Sequence, residues 1–224
     1  MTFSLAARCS RSNQLGIVVA SSSPAVAARC AWARAGVGAV ATQNITDPRL
    51  GAALLDAIAN GLTALEAMDV VVANAPLAEY RQLAVVDSAG CAAAYSGEHT
   101  LGRHASATCA NAVAAGNLLG STDVPAAMLA AFGQTVGEDL GDRLLTALLA
   151  GEAAGGEEGP IHSAGLVIVD QVPWPATDLR VDWSEDPLGG LQDLWRVWKP
   201  QVADYLTRAL DPRLAPVYGV PGDK

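Results

Sequence analysis

The chain reads as a layered α+β domain built on antiparallel sheets. Three observations predict this. Strand-like runs come in blocks that alternate with pairs of helical segments, and short polar turns join the strands as they do in hairpins. Hydrophobic residues make up 51% of the chain and aromatics only 5%, much of the excess being alanine, so the core packs small side chains of helices on sheets. At 224 residues there is ample chain to bury such a core. A domain is expected over residues 1–198, followed by a helical extension and loose tail over 199–224.

Residues 2–8 and 15–21 are apolar strand candidates separated by the polar turn Ser10-Arg11-Ser12-Asn13-Gln14, and Ser21-Ser22-Ser23-Pro24 ends the second. Residues 36–43 read as a third strand whose glycines allow close backbone approach. The period then changes. Over 48–60, Leu50, Leu54, Leu55 and Ile58 fall on one helical face, with Asp47 as N-cap and Gly61 as the stop. Thr63-Ala64-Leu65-Glu66 is a capping box that opens a second helix over 63–74.

Residues 83–87 and 91–95 flank Ser88-Ala89-Gly90 as another hairpin, and one further strand is expected within 105–119, broken by Gly116. Helices follow over 122–135 and 140–150, then a glycine- and glutamate-rich loop over 151–160. Strand returns over 163–169 and 178–183. From Pro187 the chain is helical to Pro200 and resumes to Leu210; the tail from Asp211, with three prolines, reads as loosely ordered.

The net charge of −9 argues against a nucleic-acid partner, which calls for a basic face. No run reaches the roughly 18 apolar residues of a membrane helix. Arg8, Arg11 and Asn13 interrupt the early apolar residues before any secretory core forms, so the cytoplasm is the expected compartment. Cys9, Cys30, Cys91 and Cys109 form no C-x-x-C pair and read as small buried residues. His99, His104 and His162 lack metal-ligand spacing, so neither zinc nor any other cofactor is expected.

The residue with the most chemistry is Thr2. Loss of Met1, common when the next side chain is small, gives it a hydroxyl and a free α-amine on one residue. An α-amine with an ordinary pKa of about 7.7–8.0 is partly free base near neutrality and takes the hydroxyl proton.

Several strings together resemble the DUF1028 family: Met1-Thr2-Phe3-Ser4, Gly16-Ile17-Val18-Val19-Ala20-Ser21, and above all Trp32-Ala33-Arg34-Ala35-Gly36-Val37-Gly38-Ala39-Val40-Ala41-Thr42-Gln43 with Asp47-Pro48-Arg49-Leu50-Gly51. Tyr80-Arg81-Gln82-Leu83, Gly116-Asn117-Leu118-Leu119, Ala154-Gly155-Gly156, Ser163-Ala164 and Asp178-Leu179-Arg180-Val181-Asp182 continue the match in order to about residue 195. The resemblance implies an N-terminal nucleophile (Ntn) hydrolase-like fold, a four-layer αββα sandwich of two antiparallel sheets flanked by helices. It also implies a cofactor-free amidohydrolase acting on a small-molecule amide.

On that reading Thr2 is the nucleophile, Asn117 supplies an oxyanion donor beside Gly116, and Ser163 bonds the terminal amine. Arg34, Thr42, Gln43, His104 and Gly116 are the expected substrate-binding set. The chain departs from the pattern in one respect. The activating lysine has no counterpart, since Lys199 and Lys224 lie near the end and Ser21-Ser22-Ser23 stands where relatives carry a basic residue. Arg29, Arg34 and Arg49 are the cations left to replace it. The competing reading is a catalytically silent ligand-binding or interaction module on the same fold. A homodimer is expected, because the acyl pocket of layered folds often lies near a subunit edge.

Overall fold

The computed structural model describes residues 1–220. Its first sheet has six strands, in the order β10-β9-β2-β1-β8-β7, and its second has four, β3-β4-β5-β6. The first comprises β1 (Thr2–Arg8), β2 (Leu15–Ser21), β7 (Ala105–Cys109), β8 (Ala112–Asn117), β9 (Ser163–Val169) and β10 (Thr177–Val181). The second comprises β3 (Ala31–Arg34), β4 (Gly38–Asn44), β5 (Arg81–Asp87) and β6 (Ala92–Ser96). All neighbours are antiparallel.

Helices α2 (Pro48–Ala59) and α3 (Ala64–Asn74) cover the smaller sheet, while α4 (Val124–Gln134), α5 (Leu140–Ala153) and α6 (Pro187–Trp198) cover the larger. A short α1 (Ala27–Cys30) packs at one side, and α7 (Val202–Leu210), the last α-helix among the described residues, has no fully buried residue. The fold is thus α+β, a four-layer αββα sandwich of two antiparallel sheets flanked by helices. Among the described residues no helix is long and apolar enough to cross a membrane.

Alternation along the strands builds three main cores, beside a small cluster of Val19, Val26, Ala27 and Cys30 at α1. In β1, Phe3, Leu5 and Ala7 face α4 and α5, where Met128, Leu144 and Leu148 bury with them. Ala6, on the other face, joins Ile17, Ala39, Ala41, Ala84, Val86, Val113 and Ala115 between the sheets. That layer is nearly all alanine and valine, which lets two sheets stack without large side chains between them. Leu54, Leu55, Met68, Leu83 and Val85 form the third core, under α2 and α3.

The helix signals act as the sequence indicates. Asp47 caps α2 by accepting from the Arg49 amide, and Thr63 with Glu66 forms a complete capping box. Three boundaries need correction. Strand β3 was not anticipated: four residues of mixed character on a sheet edge carry too little alternation to register, and Gly36 at φ +70° turns the chain into β4. The expected single strand over 105–119 is a hairpin. Its two-residue turn contains Asn111 at φ +69°, and Gly116 lies inside β8, not at a break. Helix α5 runs through Gly151, a glycine placed where Met128 comes within 2.8 Å of a would-be Cβ, and the loop begins only after Ala153. The cysteines also differ from expectation: Cys9 and Cys30 are buried, Cys91 is half-buried and Cys109 is exposed on edge strand β7. The tail expectation holds no test beyond residue 220, since 221–224 lie outside the described residues.

Leu144 shows how tightly α5 seats on the larger sheet: its Cδ1 enters the gap left by Gly16, 2.9 Å from where a Cβ would stand. Leu144→Ala should lower the unfolding free energy by about 2–5 kcal/mol in urea titration. A loss under about 1 kcal/mol would be inconsistent with this packing.

Candidate active site at the head of the central strand

The inter-sheet layer changes character at one end. The inward positions that are alanine and valine in mid-strand become Thr2 and Ser4 on β1, Ser21 on β2, Gln43 on β4, Gln82 on β5, Ser96 on β6, Asn117 on β8 and Ser163 on β9. Period-two alternation puts all of them on the facing surfaces of the two sheets. Thr2 pairs with Asn117 across β1 and β8, and Ser21 pairs with Ser163 across β2 and β9. Thr2 is 6% exposed, and Ser4, Ser21, Gln43, Gln82, Asn117 and Ser163 are fully buried.

Gln82 organises this end. Its Nε2 donates to the Gly116 carbonyl and to Ser96 Oγ, both at 3.0 Å. A carbonyl oxygen only accepts, so the amide orientation of Gln82 is determined, and its Oε1 faces the other way. There it accepts from Gln43 Nε2 at 2.8 Å and Asn117 Nδ2 at 3.0 Å, while Gln43 Oε1 accepts from Ser4 Oγ at 2.7 Å. The same orientation fixes how Asn117 sits. One N–H of its amide donates to Gln82, and the acceptor Oδ1, buried beside Thr2, is left without a partner. The open Oδ1 can accept from an ammonium, and the second N–H of the same amide keeps a donor available.

The hydroxyls take up the other polar role. Ser21 Oγ donates to the Met1 carbonyl oxygen and accepts from the Ser23 amide at 3.1 Å. Thr2 Oγ1 lies within reach of the same Met1 oxygen and of Ser21 Oγ, the latter at 3.3 Å. Ser163 does not reach the terminus. Its hydroxyl donates to the Ser23 carbonyl at 2.6 Å and accepts from the Val26 amide at 3.2 Å, so it pins the serine loop that holds Ser21.

The remaining expected residues divide. Gln43 and Gly116 belong to the polar network; Thr42 lies on the outer face of β4, its hydroxyl on the Asp47 carbonyl at 3.0 Å. Arg34 is half-exposed and paired with Asp56 at 2.9 Å, which removes it from the site. His104 is exposed, with Nδ1 3.1 Å from the Gly102 carbonyl. Arg49 pairs with Asp47, and Arg29 bonds the Pro24 and Ala25 carbonyls, so neither supplies a cation in place of the missing lysine. Asp178 pairs with Arg180 on the edge strand β10.

Two neighbours were missed as site residues. Glu157, 8% exposed, receives the Ser22 amide on both carboxylate oxygens at 3.1 Å. Burial raises its carboxyl to about 7, although the nearby N-terminal ammonium, Ser22 and His162 act in the opposite direction. His162 donates its amide to the Ser21 carbonyl at 2.9 Å and stacks on the exposed Trp183 at 4.3 Å between centroids. The loop carrying Glu157 is tied down: Gly120 bonds Gly156, Glu158 bonds Leu118, and Arg103 pairs with Glu158. Beneath it lies a cavity of about 210 Å³ lined by Phe3, Glu152, Gly156, Glu157, Gly159 and Ile161. Among the described residues no group of three or more His, Cys, Asp or Glu is placed to hold a metal.

The architecture is therefore a four-layer α+β domain with a buried threonine at the head of its central strand and a polar cluster around it. The chain belongs to DUF1028, a family of unknown function, whose model matches residues 2–191. The crystal structure of protein SPO2555 from Silicibacter pomeroyi, of the same family, is 31% identical, with a TM-score of 0.81 over 91% of this chain and 89% of that one. HslV from Trypanosoma brucei is 11% identical, with a TM-score of 0.48 over 76% of this chain and 100% of that one. The ancestral β-subunit Anbu from Yersinia bercovieri is 10% identical, with a TM-score of 0.41 over 92% and 97%. The last two likenesses are too low to carry an argument. No curated protein matches the chain significantly.

Two outcomes follow from this geometry. Gln82→Leu leaves the Gly116 carbonyl, Asn117, Gln43 and Ser96 short of partners, and should cost about 3 kcal/mol or more in urea titration. Glu157 carries a folded-state pKa above its unfolded value near 4.5, so the folded state holds the extra proton. Its stabilising contribution is complete below about 4.5 and is lost as pH rises through about 7. The melting temperature of Glu157→Gln should therefore gain on the parent between pH 5 and 8, and a constant difference would remove Glu157 from that titration.

Proposed function

We propose that this chain is an Ntn-type hydrolase of small amides whose nucleophile is Thr2 after removal of Met1. The observation that carries the reading is the burial of the Thr2 hydroxyl among inward polar groups, in reach of Ser21 Oγ and beside the unpartnered Asn117 Oδ1. Thr2 Oγ attacks the amide carbon. The α-amine takes the hydroxyl proton and passes it to the leaving nitrogen, and Asn117 Oδ1 accepts a hydrogen bond from the ammonium formed between those steps. Ser21 Oγ already donates to a carbonyl oxygen at this point and is the oxyanion donor. Water then cleaves the ester and restores the hydroxyl.

A second reading, a silent ligand-binding module, is favoured by one observation: Arg29, Arg34 and Arg49 all turn to other partners, leaving the amine without the cation that tunes it in the wider class. The two readings separate by experiment. Intact mass of untagged protein should be short by one methionine, and retention of Met1 would end the catalytic reading. Among amide substrates found by screening, Thr2→Ala should lower turnover by about 10³-fold or more, while Thr2→Ser retains measurable activity. Equal turnover in Thr2→Ala and parent would move the chemistry elsewhere.

A further inference from the structure

The bond whose cleavage frees the Thr2 amine lies inside the fold. Thr2 pairs with Asn117 on β8, and Phe3 pairs with Gly116 on one side and with Ala20 of β2 on the other. β1 is thus held along both edges from Phe3 onward, as a central strand of its sheet. Thr2 is 6% exposed and Phe3 is fully buried, its ring 3.3 Å from where a Cβ on Gly151 of α5 would stand. The carbonyl of the Met1–Thr2 amide accepts from Ser21 Oγ. Met1 itself is half-buried, with its Cε 3.6 Å from where a Cβ on Gly159 would stand.

An aminopeptidase that removes an N-terminal methionine draws the scissile amide and the next few residues, extended and unpaired, into its own cleft. In the folded chain this means stripping the head of a central strand from two neighbours and lifting Phe3 out of the core. That is an opening of the sheet, not fraying of a terminus. We propose that Met1 is removable only before β1 docks, so that folding closes the Met1–Thr2 bond to processing and fixes, during synthesis, the share of molecules with a free Thr2 amine. The order of synthesis leaves time for this. Asn117, the partner of Thr2, is made about 115 residues after it, a delay on the order of 10 s at about 5–20 residues per second.

Hydrolysis in that interval breaks the C–N bond between the Met1 carbonyl carbon and Thr2. The hydroxyl of water goes to the carbon, its proton goes to the Thr2 nitrogen, and free methionine leaves. Joined to the nucleophile reading above, on which this consequence rests, a chain that folds with Met1 in place stays silent. Its Thr2 nitrogen is held in an amide and takes no proton, and Ser21 Oγ, the proposed oxyanion donor, is occupied by the Met1 carbonyl.

The test starts from full-length protein retaining Met1, translated in a purified system that holds peptide deformylase but no methionine aminopeptidase, with folding checked by circular dichroism. Methionine aminopeptidase is added to the folded protein, to a synthetic peptide of residues 1–12, or to the translation mixture from the start, and Met1 is followed by intact mass. The peptide and the chain translated beside the enzyme should lose Met1, and the folded protein should lose it at least about 100-fold more slowly than the peptide. A smaller gap overturns the inference and leaves Thr2 as nucleophile, as does loss of Met1 from folded protein with no enzyme added. Retention of Met1 in the peptide, or in the chain translated beside the enzyme, removes the window and the nucleophile with it. Amide hydrogen exchange gives a measure free of any peptidase. Residues 2–5 should be as protected as β8, and rapid exchange there overturns the inference.

Discussion

The hydrogen bonds that Gln82 makes from one sheet to the other hold the polar end of the sandwich in register, and the surroundings of Thr2 depend on them. Elsewhere the two sheets meet through alanine and valine, which have neither the reach nor the direction to set a side chain's orientation. At this end a long amide is needed to span the layer, and the Gly116 carbonyl decides which way round it sits. From that single acceptor the donor and acceptor roles follow outward to Gln43, Ser4 and Asn117. A buried network of this kind is stable only when its members are satisfied. The one atom it leaves open, Asn117 Oδ1, adjoins the residue with the most chemistry.

Much of the fold was legible because its signals are local. The Asp47 and Thr63 caps and the alternation of 2–8, 15–21 and 163–169 are written in adjacent residues, and the structure places those elements where the pattern does. The errors came where a decision was tertiary. Gly116 and Gly151 look like breaks, yet each is a site of close approach, to Leu119 and Met128 respectively. Four residues at a sheet edge do not declare themselves a strand until a partner is known.

The site was legible in part, for the same reason. Thr2, Gln43, Gly116 and Asn117 come together, but Arg34 and His104 do not, since a charged or titratable side chain says nothing in sequence about which way its strand faces. Ser21 could have been found from the parity of β2: Leu15, Ile17 and Val19 share its face, and a serine ending an apolar face is a polar position at the layer's end. Glu157 offered no such signal. It lies in an irregular loop, and its burial comes from the loop's bonds to residues 118–120 and 22.

The location of the cluster has a backbone cause as well. β1 starts at Thr2, β2 ends at Ser21, β8 ends at Asn117 and β9 starts at Ser163, so the four central strands of the larger sheet stop at one level. Amides just past that level have lost their ladder partners and must find others. The Ser22 amide goes to Glu157, the Ser23 amide to Ser21 Oγ, the Leu118 amide to Leu101 and the His162 amide to Ser21. Leu118 turns away from Asn117 at φ +50°, a conformation a branched side chain adopts only at some cost, and Leu119 then bridges to Glu157. Ending the strands together thus recruits the serine loop and the Glu157 loop to the same place. The buried hydroxyls and the buried carboxyl around Thr2 are the side chains that backbone accounting draws there.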